Sequence, residues 1–224
     1  METLVSGMKA THRALAHRLA QAADAHPATD PTHPRDQYPA IDTFLASAAR
    51  HNAAVIAVLV PAARARLEDG HERARSFVEQ SKRFEVALNQ VKAKLYGSSY
   101  VVRRPWRSIW DDVRREWDCI RRLEEQLVED LSRRRRATDP DWSEALYRAE
   151  VHAPTRPHPH IPHQGAGGKV ARAVAHQVDR FWDTAEGRMM PEPIHHHDRS
   201  QDGPITQYLL ADPHLPEDEE EERR

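Results

Sequence analysis

Apolar residues recur at helical spacing along much of the chain, most clearly between residues 41 and 67. At about 100° per residue, one stripe of this segment is apolar except for His51 at its centre. The stripe comprises Phe44, Ala48, His51, Val55, Leu59 and Ala62. Asp42 stands where an N-cap residue belongs, Gly70 stands where a C′ residue belongs, and Pro61 interrupts the last turns. The pattern predicts a long helix with one buried titratable group.

Two more segments, residues 2–25 and 71–96, show the same periodicity on either side of that helix. A loop with four prolines separates the first segment from residue 41. The buried stripe of the first segment is Met8, His12, Leu15, Leu19 and Ala22, and that of the other is Phe77, Phe84, Leu88, Val91 and Leu95. His17 faces away from the first stripe. Glu85 lies at the edge of the other, where it could turn inward, although we expect it to be solvated. Both segments are predicted to be amphipathic helices.

A fourth predicted helix, residues 105–136, carries a carboxylate inside its apolar face. Pro105 suits a first-turn position, and the four arginines from Arg133 complement the helix C-terminus. The face is built from Trp106, Ile109, Trp110, Val113, Trp117, Ile120, Leu127, Val128 and Leu131. Glu124 lies in the middle of this face, whereas Glu125 is further round and is expected to be exposed. A buried carboxylate requires a partner, so we expect Glu124 within hydrogen-bond or metal-bridged reach of His12 or His51.

The spacing His51-x-x-x-Val55-x-x-x-Leu59-x-Pro61 resembles the second helix of hemerythrin-like (HHE cation-binding) domains. In that family, a carboxylate follows the histidine by four residues, so that both side chains can bind one metal from adjacent turns. In this chain Val55 occupies the carboxylate position.

The resemblance extends to the other predicted helices. His12, with Leu15 and Leu19, matches the first-helix pattern, and the pair Glu124-Glu125 matches the carboxylates of the fourth helix. The chain departs from the family where the fourth-helix histidine would stand, at Ile120, and where the third-helix histidine would stand, at Ser81.

The resemblance implies an all-α fold, a four-helix up-down bundle over residues 1–136. Family members hold two irons between facing histidines and carboxylates, and bind oxygen or respond to nitric oxide or iron. Residue by residue, it implies His12, His51 and Glu124 as metal ligands, with iron as the metal. Two functions remain open: a metal or small-ligand binder, and a metal-free structural or interaction protein in which both histidines pair with Glu124.

The rest of the chain is predicted to form an extension and a tail. Residues 137–190 contain a short helix at 141–151, a proline-rich loop and a further helix at 169–185, which could dock on the bundle or bind a protein partner. The loop histidines offer either a metal site or only part of a proline-stiffened strap; they are His152, His158, His160 and His163. Residues 191–224 carry His195–His197 and end in an acidic run that we expect to be disordered.

Composition bears on the possible partners, the cellular location and the activity of the protein. The net charge of −2, from 33 basic and 35 acidic residues, gives no reason to expect nucleic-acid binding. The longest apolar run, residues 53–63, is shorter than the ~20 residues of a membrane span, so we expect no membrane partner. The single cysteine, Cys119, cannot form an internal disulfide, which suggests a cytoplasmic protein. No catalytic motif supports an enzyme, and the sequence does not indicate an oligomeric state.

Overall fold

The computed structural model describes residues 3–25, 39–95 and 103–156 of the chain. The predicted helix at 169–185, the histidines from His158 onward and the acidic tail lie outside the described residues. Five helices are described: α1 Leu4–Asp24, α2 Pro39–Arg66, α3 Gly70–Leu95, α4 Trp106–Arg133 and α5 Trp142–Val151. They account for 84% of the described residues, which include no strand, and the all-α prediction is confirmed.

The helices pack around one core. α1 and α3 each contact both α2 and α4, α2 also contacts α4, and the short α5 packs mainly on α2 with a smaller contact to α1. The largest fully buried apolar side chains come from all four long helices and include Phe44, Phe77, Phe84, Leu15, Leu59, Ile109, Ile120 and Leu131. The stripes read from the sequence therefore face this core.

Helix ends depend on local capping. Thr3 and Ser6 form a capping box at α1, where the Ser6 amide donates to Thr3 Oγ1 over 3.2 Å and the Thr3 amide donates to Ser6 Oγ over 2.9 Å. Pro105 is the N-cap residue of α4, and this helix ends at Arg133, before the predicted end at residue 136. Asp141 caps α5 by accepting from the amides of Ser143 and Glu144.

The structure corrects the predicted residues at both ends of α2. α2 begins at Pro39, so Asp42 lies inside its first turn and is not the N-cap. Gly70 begins α3 and is not the C′ residue of α2. A Cβ atom at position 70 would lie 2.1 Å from the carbonyl oxygen of Ala63. Glycine is needed here because the start of α3 approaches the last turns of the α2 backbone so closely.

By length and composition, α2 could cross a membrane, since an 18-residue window has a mean hydropathy of 1.4. The continuous apolar run at residues 53–63 is shorter than this window, because Arg50, His51 and Asn52 interrupt the apolar sequence before it. However, 72% of the same window is buried inside the protein. Core helices share this property, so it is weak evidence for membrane insertion.

Candidate metal centre

Three polar side chains from three helices meet inside the core. His12 of α1, His51 of α2 and Glu124 of α4 are only 3%, 4% and 1% exposed. Oε2 of Glu124 lies 2.7 Å from Nε2 of His12 and 3.2 Å from Nε2 of His51. One potential ligand atom from each residue lies within 4.8 Å of the others. The predicted proximity of Glu124 to the two histidines is confirmed.

Each of these side chains is buried because it occupies the apolar stripe of its helix. His12 follows Met8 by one turn, and burying that stripe carries the imidazole inward. Its ring packs at nearly right angles to two neighbouring rings: the centroid of His12 lies 5.5 Å from that of Trp117 and 5.6 Å from that of His51. Aromatic packing therefore restricts how the His12 ring can turn.

A second layer of carboxylates holds the other nitrogen of each imidazole. Nδ1 of His12 lies 3.0 Å from Oε1 of Glu125, and Nδ1 of His51 lies 2.8 Å from Oε1 of Glu150. The result is a continuous chain of carboxylates and imidazoles in the order Glu125, His12, Glu124, His51, Glu150.

The structure corrects the prediction that Glu125 is exposed. Its side chain is 24% exposed and contacts His12. Arg121, one turn earlier on α4, donates to Glu125 Oε1 over 2.9 Å. Partial burial acts to raise the pKa of Glu125, but the hydrogen bonds with His12 and Arg121 and the attraction of both groups together hold this pKa below its usual value.

Attraction and hydrogen bonding within the cluster outweigh the effect of burial on the pKa values of His51 and Glu124. Burial by itself would lower the pKa of His51, but the attraction of Glu124 and hydrogen bonds to Glu124 and Glu150 raise that pKa to about 10. Burial would raise the pKa of Glu124, but attraction to His51 and the hydrogen bonds from both histidines lower it to about 2. Without a metal ion, Glu124 is therefore a carboxylate and His51 an imidazolium.

The positions that depart from the hemerythrin-like pattern are buried without offering a strong ligand. Val55, Ile120 and Ser81 are all in the core. Ser81 Oγ donates to Asn52 Oδ1 over 2.8 Å, and Asn52 Nδ2 donates to Glu85 Oε1 over 3.0 Å. The expectation that Glu85 is solvated is wrong, because only 7% of this residue is exposed. Its hydrogen bond with Asn52 makes that burial possible.

Sequence analysis missed Glu150 as a member of the site. The signal was present, because Trp142, Leu146 and Glu150 follow one another at four-residue spacing and all three are buried. Glu150 thus stands on an apolar stripe in the same way as Glu124. By contrast, His152, the one predicted loop histidine within the described residues, is exposed and is not part of the cluster.

The donor set is suited to a metal ion. Two imidazole nitrogens and one carboxylate oxygen are typical ligands of Zn²⁺ and of non-haem Fe²⁺. His12, His51 and Glu124 lie close enough together to hold one such ion. The outer carboxylates Glu125 and Glu150 are the partners that metal-bound histidines usually have.

Comparison of the chain with protein-family models, with curated proteins and with solved structures finds no match in any of the three. Among the described residues, two buried histidines and a buried glutamate lie close enough together to hold a metal ion.

Proposed function

We propose that this protein is a hemerythrin-like metal-binding protein, in which α1 to α4 form an up-down bundle around one metal ion. His12, His51 and Glu124 are the ligands. The carrying observation is that these three side chains, from three helices, converge inside the core. The hemerythrin-like spacing favours iron as the ion, and the same donor set also suits zinc.

The orientation of the imidazoles supports metal binding over a chance meeting of polar groups. Both His12 and His51 direct Nε2 toward Glu124, and both have a carboxylate next to Nδ1. An N–H donated to such a carboxylate leaves the other nitrogen with a free electron pair for the metal. This arrangement occurs twice in one cluster, at His12 and at His51.

The ligand set favours a mononuclear site. At Val55, Ile120 and Ser81 the side chains are two hydrocarbons and a hydroxyl, which cannot complete the ligand shell of a second ion. Three protein ligands leave coordination positions that water or a small molecule can fill. A bound ion would supply Lewis acidity, or redox chemistry if it is iron, at those positions.

One observation favours a second function, a metal-free structural or interaction protein. Glu124 already accepts hydrogen bonds from both imidazoles, and His51 carries the compensating positive charge. In this case the cluster is a buried polar network that selects one packing of the helices. A protein partner would then bind elsewhere, for example through the predicted C-terminal extension.

Metal analysis of the full-length protein, purified without a nickel column, distinguishes the two functions. We expect near-stoichiometric iron or zinc in the wild type and in His17→Ala, a control at an exposed histidine of the same helix as His12. We expect the ion to be lost in His51→Ala, with circular dichroism showing that the variant remains helical. Absence of any metal after addition of Fe²⁺ under anaerobic conditions or of Zn²⁺, with an unchanged melting temperature, would establish the metal-free alternative.

A further inference from the structure

The carboxylate that hydrogen-bonds Nδ1 of His51 comes from a helix that carries none of the three proposed metal ligands. Glu150 lies near the end of α5 and is 6% exposed. Its Oε1 lies 2.8 Å from Nδ1 of His51, on the side of the ring opposite Glu124. The two carboxylates therefore hold the His51 ring from both nitrogens.

α5 is held in place by contacts that do not involve the cluster. Trp142 and Leu146 are buried on the same stripe as Glu150 and pack in the core. Asp139, in the turn before α5, forms an ion pair with Arg66 at the end of α2 and accepts a hydrogen bond from the Arg136 amide. These contacts set the position of the helix, and so they also set the position of Glu150.

Arg18 of α1 places a positive charge that is attracted by Glu150. Arg18 donates to Ser47 Oγ, and Ser47 in turn donates to the Thr43 carbonyl over 2.6 Å. Partial burial lowers the pKa of Arg18, and the attraction of Glu150 acts in the opposite direction. Glu150 is therefore attracted by the guanidinium of Arg18 in addition to its hydrogen bond with His51.

We propose that Glu150 is a positioning residue for the metal, which makes α5 a part of the metal centre. The inference rests on the proposed metal-binding function. Glu150 accepts the Nδ1–H of His51, fixes the rotation of the ring and leaves Nε2 available to the ion. A carboxylate in this position also makes the imidazole a stronger electron donor to the metal.

The contribution of Glu150 can be measured as a change in the affinity of the protein for the metal ion. Loss of an outer carboxylate typically weakens metal binding by about 10–100-fold. Glu150→Gln retains an oxygen that can accept the Nδ1–H but removes the charge, so it changes little in the packing of α5. Glu144→Gln is the matched control, because Glu144 lies on the same helix, its side chain is 44% exposed and it pairs with Arg148 over 2.7 Å.

The experiment titrates Zn²⁺ into full-length protein against a competing chelator. We expect near-stoichiometric binding in the wild type, Glu144→Gln and Glu150→Gln, with the affinity of Glu150→Gln lower by about 10–100-fold. Glu144→Gln should match the wild type. Circular dichroism of both variants shows whether the helices are intact.

A spectroscopic measurement separates positioning from a general loss of stability. In Zn²⁺-loaded wild type, ring-nitrogen NMR should show His51 bound to metal through Nε2, with a strongly hydrogen-bonded proton on Nδ1. The resonance of that proton should move upfield in Glu150→Gln, because a neutral amide oxygen is a weaker acceptor than a carboxylate, and should stay in place in Glu144→Gln. A variant that was merely less stable would leave the signal of the folded state unchanged.

The outcomes distinguish this inference from the proposed function. Wild-type affinity and an unchanged Nδ1 proton in Glu150→Gln would overturn the role of Glu150 while leaving the metal centre in place. Absence of Zn²⁺ and Fe²⁺ binding by the wild type, or full binding by His51→Ala, would overturn the metal centre and this inference with it.

Discussion

Nε2 of His12 lies 2.7 Å from Oε2 of Glu124, although 112 positions separate the two residues in the chain. Both side chains are almost completely buried. A contact of this kind forms only when α1 and α4 pack with both polar groups at the same level. The same Oε2 atom also accepts from His51, so one carboxylate oxygen connects three helices.

Removing one imidazole should destabilise the metal-free protein strongly. His51→Ala deletes the imidazolium that bonds both Glu124 and Glu150 in the core and leaves His12 as the remaining imidazole beside Glu124. Breaking a buried charge pair typically costs about 3–5 kcal/mol, so we expect a loss of that size in the free energy of urea-induced unfolding. The exposed His17→Ala should change it by less than about 0.5 kcal/mol. A loss below about 1 kcal/mol for His51→Ala would show that the ion pair does not stabilise the fold.

The ion pair of His51 and Glu124 should make the free energy of unfolding depend on pH. Stability should fall at high pH through His51 and at low pH through Glu124. The folded-state pKa of His51, about 10, lies above its ordinary value of 6.5, so its contribution is complete below pH 6.5 and is lost as the pH rises through about 10. The pKa of Glu124, about 2, lies below its ordinary 4.5, so its contribution is present above pH 4.5 and is lost as the pH falls through about 2.

Urea unfolding in the presence of a chelator tests this pH dependence. The wild type should lose stability steadily between about pH 6.5 and pH 10, and His51→Ala should show a shallower decline over the same range. Parallel curves for the two proteins would mean that His51 does not hold its proton in the folded state.

The buried hydrogen-bond network of Ser81, Asn52 and Glu85 should contribute to the stability of the fold independently of the metal centre. Asn52 donates to Glu85 and accepts from Ser81, and all three side chains are buried. Leaving a buried donor or acceptor without its partner typically costs about 1–3 kcal/mol, so Asn52→Ala should lower the free energy of unfolding by about that amount. Glu79→Ala, at an exposed position of α3, serves as the control. Equal stability of the two variants would contradict the role of this network.

Replacing the glycine at the start of α3 should also be destabilising. In Gly70→Ala the new methyl group would lie 2.1 Å from the Ala63 carbonyl oxygen, so the α2–α3 junction must open. Overpacking of this kind typically costs about 1–3 kcal/mol, measurable as a lower melting temperature. Glu68→Ala, exposed in the same turn, should leave the melting temperature nearly unchanged. A stabilised Gly70→Ala variant would show that helix propensity outweighs the close approach.

The sequence determined the helices and the burial of the three central residues. His12, His51 and Glu124 each stand on an apolar stripe, and periodicity within a helix is a local property that the chain displays directly. Their burial followed, because a stripe must face the core to remove its apolar surface from water. The need of Glu124 for an imidazole partner followed from the cost of burying a carboxylate alone.

Tertiary structure alone decided which groups complete the cluster and where the helices meet. Glu85 and Glu125 lie at the margins of their stripes, where a small rotation of the helix decides between core and solvent. Glu150 reaches His51 only because α5 docks on α2, a long-range contact that local periodicity does not specify. Gly70 is required by the distance between two backbones, not by its own conformation. Such properties depend on how separate helices pack together, so they are absent from the pattern of any single segment.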